Sequence, residues 1–270
     1  MSKKTNIVLY CKSFIGDLGR VAVLAESVEK HNVDNIPFYV SCPKADLSTF
    51  QRRLPEFVTI VTDEDIVKKN YIQNWTTQQI IKSQFWKLID TENYLCVDSD
   101  SYFIRPFATD DFIVKDSTPY TVMHQQKNLF QWTAKYSSEL GFDPQESFNS
   151  CRINIGKVFG RDFKVNYDFG PNTVLWSSKV WNSLEKNYLE PNNLTFEQLI
   201  DYEASEFTWY GEWLLATKPI EIYPIEPLFL VMHYPQQYTQ FKQQGYTEAD
   251  LAKIYFGVTM TSNWGAPLKY

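Results

Sequence analysis

The sequence predicts an α/β fold, Rossmann-like in its layering, with a mostly parallel, twisted central sheet and helices on both faces. Three observations carry that prediction. Compact apolar runs of strand length alternate with helical patterns through the first sixty residues. A further apolar run ends in acidic residues at Asp98, where ligands gather in open α/β sheets. No segment reads as a linker or repeat, so residues 1–270 form one domain.

Taken in order, Asn6 to Cys11 is a buried-strand pattern, and Asp17 stands as an N-cap before Leu18, Val21, Leu24, Ala25 and Val28 at helical spacing. Ile36 to Cys42 is the next strand, closed by Pro43, and Val58 to Val61 the third, ending in the acidic turn at Thr62 to Asp65. Thr76 to Gln79 has the form of a capping box, and Ile81, Phe85, Leu88 and Ile89 extend a helix from about Thr77 to Asp90. That helix feeds the strand from Tyr94, which breaks at Asp98 and Asp100 and resumes as a short β run ending at Arg105 and Pro106. Pro119 to Met123 is another strand, and Asn128 to Arg161 a helical or loop-rich insertion. Asp168 to Trp176 reads as a turn and a strand, followed by a helix capped by Ser177 or Ser178 and carrying Val180, Leu184 and Tyr188. Asn192 to Thr195 is a turn, after which helices start at Thr195 and near Ser205. Strands at Ile220 to Tyr223 and Leu228 to Met232 precede a helical tail over 236–270, where Thr247 to Asp250 is a looser capping box.

Composition narrows the function classes. With 26 basic against 32 acidic residues, the formal charge of −6 offers no sequence-blind hold on nucleic acid. The apolar run Ile7 to Cys11 stops at Lys12, too short for a signal-peptide core, and the best apolar candidate, Pro227 to Met232, is of strand rather than membrane-helix length. Cys11, Cys42, Cys96 and Cys151 are widely spaced without a C-x-x-C pair, which fits reduced thiols in the cytoplasm. Aromatic residues make up 16 %, and those not buried in the core suit stacking on sugars or bases.

The sharpest constellation is Asp98-Ser99-Asp100 at a strand's carboxyl end. Two carboxylates separated by one small residue can converge on a hard divalent cation, Mg²⁺ or Mn²⁺, leaving positions for substrate phosphates, although Asp and Ser also favour plain turns. His233 follows the apolar strand Leu228 to Met232 and could complete the metal shell, shifting preference toward Mn²⁺. His31 and His124 stand in no comparable setting. Glu206, in Ser205 to Glu212, is placed to act as a buried general base, although acidic residues in a helix's first turn more often compensate its dipole. Lys82 and Arg105 flank the acidic strand and could neutralise phosphate.

In order, Lys12-Ser-Phe-Ile-Gly-Asp17, Gln78-Gln-Ile-Ile-Lys82, Asp98-Ser-Asp100 with Arg105-Pro106, Gly170-Pro171, Ser205-Glu-Phe-Thr-Trp-Tyr-Gly211 and His233 give the chain its resemblance to a GT-A-fold glycosyltransferase. More narrowly, it resembles a bacterial glycosyltransferase-like family of unassigned function that carries these motifs from about Lys12 to His233. The resemblance implies a GT-A-like domain with a nucleotide-binding half over about 1–106 and an acceptor half over about 107–235. It implies a metal, Mn²⁺ or Mg²⁺, on Asp98, Asp100 and His233, and a nucleotide-sugar donor, UDP-linked, contacted by Asp17, Gln79, Lys82, Asp98 and Arg105. Glu206 would be the catalytic base. The implied acceptor is a glycan or lipid-linked glycan in surface polysaccharide, lipopolysaccharide or capsule synthesis, at the inner face of the membrane. Phe14 and Phe207 replace tyrosines of the family pattern and remove two hydroxyls. A nucleotidyltransferase is the nearest alternative but brings a Gly-rich basic loop where Lys12 to Arg20 has only Gly16 and Gly19. A non-catalytic carbohydrate-binding protein is the alternative from a different class.

Overall fold

A computed structural model describes residues 5–69, 74–141, 143–161, 165–170 and 172–270, and the side chains of 5 and 136–140 lie outside that description, as does Pro171 of the Gly170-Pro171 pair. The strands are β1 (Thr5–Lys12), β2 (Phe38–Cys42), β3 (Val58–Thr62), β4 (Thr91–Val97), β5 (Ser101–Phe103), β6 (Ile113–Lys115), β7 (Thr118–Pro119), β8 (Thr121–Val122), β9 (Thr173–Ser177), β10 (Pro224–Ile225), β11 (Phe229–Met232) and β12 (Gly257–Met260). The helices are α1 (Leu18–His31), α2 (Leu47–Arg53), α3 (Asp63–Val67), α4 (Trp75–Lys82), α5 (Lys127–Leu140), α6 (Pro144–Val158), α7 (Ser178–Leu184), α8 (Phe196–Tyr202), α9 (Glu206–Thr217), α10 (Pro235–Gln243) and α11 (Glu248–Leu251).

The architecture is mixed α/β. The central sheet runs β3-β2-β1-β4-β9, parallel except for β9, which pairs antiparallel with β4. Alternation along β1 explains the two covered faces. Ile7, Leu9 and Cys11 pack with Val21, Leu24, Ala25 and Val28 of α1, while Val8 and Tyr10 face the opposite core with Ile80 and Ile81 of α4 and Trp209 of α9. A second sheet, β11-β12-β5, has its own small core of Tyr102, Met232, Val258 and Met260.

The chain's order in the central sheet reverses beside β1: β2 and β3 lie on one side, and the chain then crosses back to place β4 on the other. Such a switch point leaves a crevice outside the carboxyl ends of the two flanking strands. Lys12 ends β1 there, and Asp98 directly follows β4.

Several expected elements differ. The helix from Thr77 to Asp90 stops at Lys82, because Ser83 Oγ and Gln84 Nε2 both donate to the Ile80 carbonyl and the chain tightens into a 3₁₀ turn at Phe85–Lys87. Its cap is Asn74, which accepts from the Thr77 N–H, rather than Thr76. Asp17 sits at the start of α1 without capping it. The segment 128–161 is two helices, α5 and α6. The strand placed at Ile220 to Tyr223 is only the two-residue β10 farther on. The tail is not purely helical either, since β12 inserts between β11 and β5. Ser177, Thr195 and Thr247 cap their helices as read from the sequence.

Candidate active site

The crevice at the switch point is a pocket of ≈ 390 Å³ lined by Ser13, Phe14, Asp17, Trp75, Asp98 and Asp100, among others. β4 delivers Asp98, and the turn into β5 delivers Asp100, whose backbone carbonyl accepts from the Met260 N–H (2.8 Å). Asp17 reaches the same place from the start of α1: its Oδ2 accepts from Ser99 Oγ at 3.0 Å. The carboxylate expected to cap a helix instead ties α1 to the D-x-D turn.

The two D-x-D carboxylates are unequal. Lys82 holds Asp98 Oδ1, whereas Asp100 Oδ2 accepts from the Ser262 N–H (2.8 Å) and Asp100 Oδ1 is buried with no hydrogen-bond partner. Burial, reinforced by the charge of Asp98, pushes the Asp100 carboxyl up to about 6. A buried, unpartnered carboxylate oxygen beside a second carboxylate fits a hard divalent cation, which satisfies lone pairs that the protein leaves open. Among the described residues no group of three or more His, Cys, Asp and Glu is arranged to hold a metal, so the protein's share would be these two aspartates, with waters and substrate phosphates supplying the rest.

His233 is not brought to them. Met232 pairs with Met260, and Met260 with the Asp100 carbonyl, so His233 stands two strands from Asp100, roughly 10 Å at ordinary strand spacing. It lines a different cleft, and its burial lowers the imidazole pKa to about 4. The structure therefore does not group it with the two aspartates among the described residues.

Lys82, Glu206, Gln79 and Arg105 also take other roles than the sequence suggested. Lys82 is 2 % exposed and lies between Asp98 and Glu206, whose Oε1 is 3.6 Å from its ammonium. Burial opposes its charge, but the two carboxylates outweigh burial and hold its pKa above the ordinary value. Glu206 is 3 % exposed and does not border the pocket, so it lacks the reach that a base needs to an acceptor hydroxyl; burial, against the pull of Lys82, pushes it up to about 7. Gln79 is buried, and its Oε1 accepts the Glu206 N–H (3.2 Å). These three support Asp98 from below. Arg105 stacks on Phe256, 3.7 Å from the ring centroid, away from the acidic turn.

The rest of the Ser205 to Gly211 motif is packing. The Ser177 N–H donates to the Tyr210 hydroxyl (2.8 Å), and a Cβ on Gly211 would fall 1.9 Å from the Phe169 ring, so only glycine lets α9 close on that segment.

Sequence reasoning missed the pocket's aromatic rim. Trp75 is 63 % exposed and Phe14 42 %, both bordering the pocket with Asn74 and Gln78 of the α4 start. The signal was present in the first motif, where Phe14 stands for the tyrosine of the pattern, but Trp75 lies just outside any motif. Sequence reasoning also passed over His124, which lines the second cleft against Asp168.

A family described as of unknown function, DUF6492, matches residues 2–158, more than half of the chain. No curated protein matches. Among the described residues, no helix is long and apolar enough to cross a membrane.

Proposed function

We propose that this chain, which belongs to the DUF6492 family of unknown function, is a metal-dependent glycosyltransferase of GT-A-like fold, moving a sugar from a nucleoside-diphosphate donor, UDP-linked, to a glycan acceptor. One observation carries the reading: the Asp98 and Asp100 carboxylates, with the orphaned Asp100 oxygen, meet exposed aromatics in one pocket at the sheet's switch point.

Each part of the pocket suits one part of a nucleotide-sugar. Asp98 and Asp100 would hold Mn²⁺ or Mg²⁺ at the diphosphate. The cation, when bound, supplies Lewis-acid neutralisation of the leaving phosphate. Trp75 and Phe14 offer ring faces to a base, a sequence-tolerant contact worth ~1–3 kcal/mol. The first turn of α4, whose Asn74, Trp75 and Gln78 border the pocket, favours negative charge nearby. Asp17 fixes the D-x-D turn through Ser99, and Lys82 pins Asp98. The resemblance in the motifs extends the reading to surface-glycan synthesis at the cytoplasmic face of a membrane.

A thermal-shift panel of UDP, GDP, CMP and ADP, each with and without Mn²⁺, tests the proposal without an acceptor, because a ligand of the native state raises its melting temperature. The expected result is a shift for UDP that requires Mn²⁺ and vanishes in Asp100→Ala. Absence of any metal-dependent nucleotide shift would refute it.

A further inference from the structure

We infer that the second cleft is a binding site for a neutral saccharide, and, resting on the transferase reading, that this saccharide is the acceptor. The cleft has a volume of ≈ 740 Å³, within the range of small-molecule sites. It is bordered by Trp132, His124, Gln126, Asn128, Glu226 and Gln237, among others.

Its aromatic platform is already fixed. Trp132 of α5 stacks on Tyr234, with ring centroids 5.4 Å apart and planes 13° from parallel, and its indole N–H donates to Gln240 Oε1 at 2.8 Å. A ring held in this way loses little freedom when a ligand packs on it, and the apolar C–H faces of a sugar need a flat, rigid partner.

Polar groups beside the platform are equally pre-set. Asp168, 3 % exposed, accepts from Arg152 Nη2 (2.8 Å) and from Gln126 Nε2, and exchanges both backbone hydrogen bonds with His124. His124 Nε2 is buried 3.5 Å from Asp168 Oδ2 without a well-formed hydrogen bond. A buried imidazole nitrogen that only a long contact to a carboxylate engages, bordering a cleft, is a group whose hydrogen bonding a ligand hydroxyl can complete. The amides of Gln126, Asn128 and Gln237 both donate and accept, as hydroxyls do.

Charge narrows the class. Among the described residues, Lys127 and Glu226 are the charged side chains bordering the cleft apart from its histidines, and they offset each other, so the described lining holds no basic cluster for a phosphate or an acidic sugar. Position fits an acceptor. Met232 of β11 pairs with Met260 of β12, and the residue after each borders a cavity: His233 the cleft and Thr261 the D-x-D pocket. The two cavities are therefore bordered from the ends of neighbouring strands.

The experiment screens the full chain on an array of neutral oligosaccharides and titrates the best binder by tryptophan fluorescence. The expected result is binding that Trp132→Ala weakens roughly tenfold or more, the usual cost of truncating an aromatic anchor. Asn128→Trp, at an exposed helix position, should abolish it by filling the cleft. Both variants should keep the Mn²⁺-dependent UDP shift, which also verifies their folding. If no neutral oligosaccharide binds, or if neither variant weakens binding, the saccharide site is refuted. Variant-sensitive glycan binding without any UDP shift would uphold the saccharide site and remove the transferase reading.

Discussion

Replacing Asp100 with Asn tests whether the structure carries a buried negative charge at the D-x-D turn for the sake of a ligand. The Asp100 carboxyl titrates at about 6 in the folded chain against an ordinary 3.8, mainly through burial and secondarily through Asp98. A raised carboxyl contributes stability that is fully present below the unfolded pKa and is lost as pH rises through the folded one. The interval between 3.8 and about 6 corresponds to ~3 kcal/mol, absent at pH 8 and present at pH 4. Asn is nearly isosteric, still accepts the Ser262 N–H and cannot ionise. Asp100→Asn should therefore match the wild type near pH 4 and exceed it at pH 8 by ~1–3 kcal/mol, roughly 2–10 °C in Tm for a chain of this size. Thermal unfolding from pH 4 to pH 8, first without metal and then with Mn²⁺ and UDP, reads both effects. Added Mn²⁺ should stabilise only the wild type, increasingly as the proton leaves. A variant less stable than the wild type at pH 8, or a difference that does not change with pH, would refute the reasoning.

The remaining expectations concern the residues around Asp98. Trp75→Ala removes an aromatic that is 63 % exposed, so UDP affinity should fall roughly tenfold with Tm unchanged, as isothermal titration and thermal unfolding would show. Lys82→Met leaves Asp98 and Glu206 without their shared cation and should cost ~3–5 kcal/mol in urea unfolding; a smaller loss would mean that Lys82 does not hold the pair. Glu206→Gln should lower turnover, measured as UDP released from a UDP-sugar, by much less than the ~10²–10⁴ that loss of a general base costs. A loss in that range would restore Glu206 as the base.

Much of the central sheet was legible because its information is local. The continuous apolar run Ile7 to Cys11 and the apolar period of Leu18 to Val28 are written in adjacent residues, and one face of that strand shares its core with the helix. What escaped depends on partners distant in the chain. β12 is four residues whose neighbours are β11 and β5, and nothing in Gly257 to Met260 announces a strand without them. His233 and the D-x-D both sit at strand ends, which sequence can suggest, but their separation follows from strand order, which it does not supply. His124 gains its meaning only when α6 brings Arg152 and the following loop brings Asp168. The helix from Thr77 was overextended because side chains at Ser83 and Gln84 compete for the Ile80 carbonyl, a contest that apolar spacing does not register.

Lys82 shows how the fold and the candidate site depend on each other. An ammonium buried at 2 % exposure between two carboxylates is seldom the most stable filling of a core, since apolar residues of similar volume serve as well or better. What Lys82 provides is position: it occupies one oxygen of Asp98, is anchored through its own backbone carbonyl by the Tyr94 hydroxyl at 3.1 Å, and rests on Glu206, which Gln79 fixes in turn. Asp98 is thereby held from beneath, and only its second oxygen remains for the pocket. Asp100 is held on one side by Ser262 and left open on the other. Two carboxylates, each tied by one oxygen and open at the second, form an arrangement whose electrostatic cost an incoming cation would relieve.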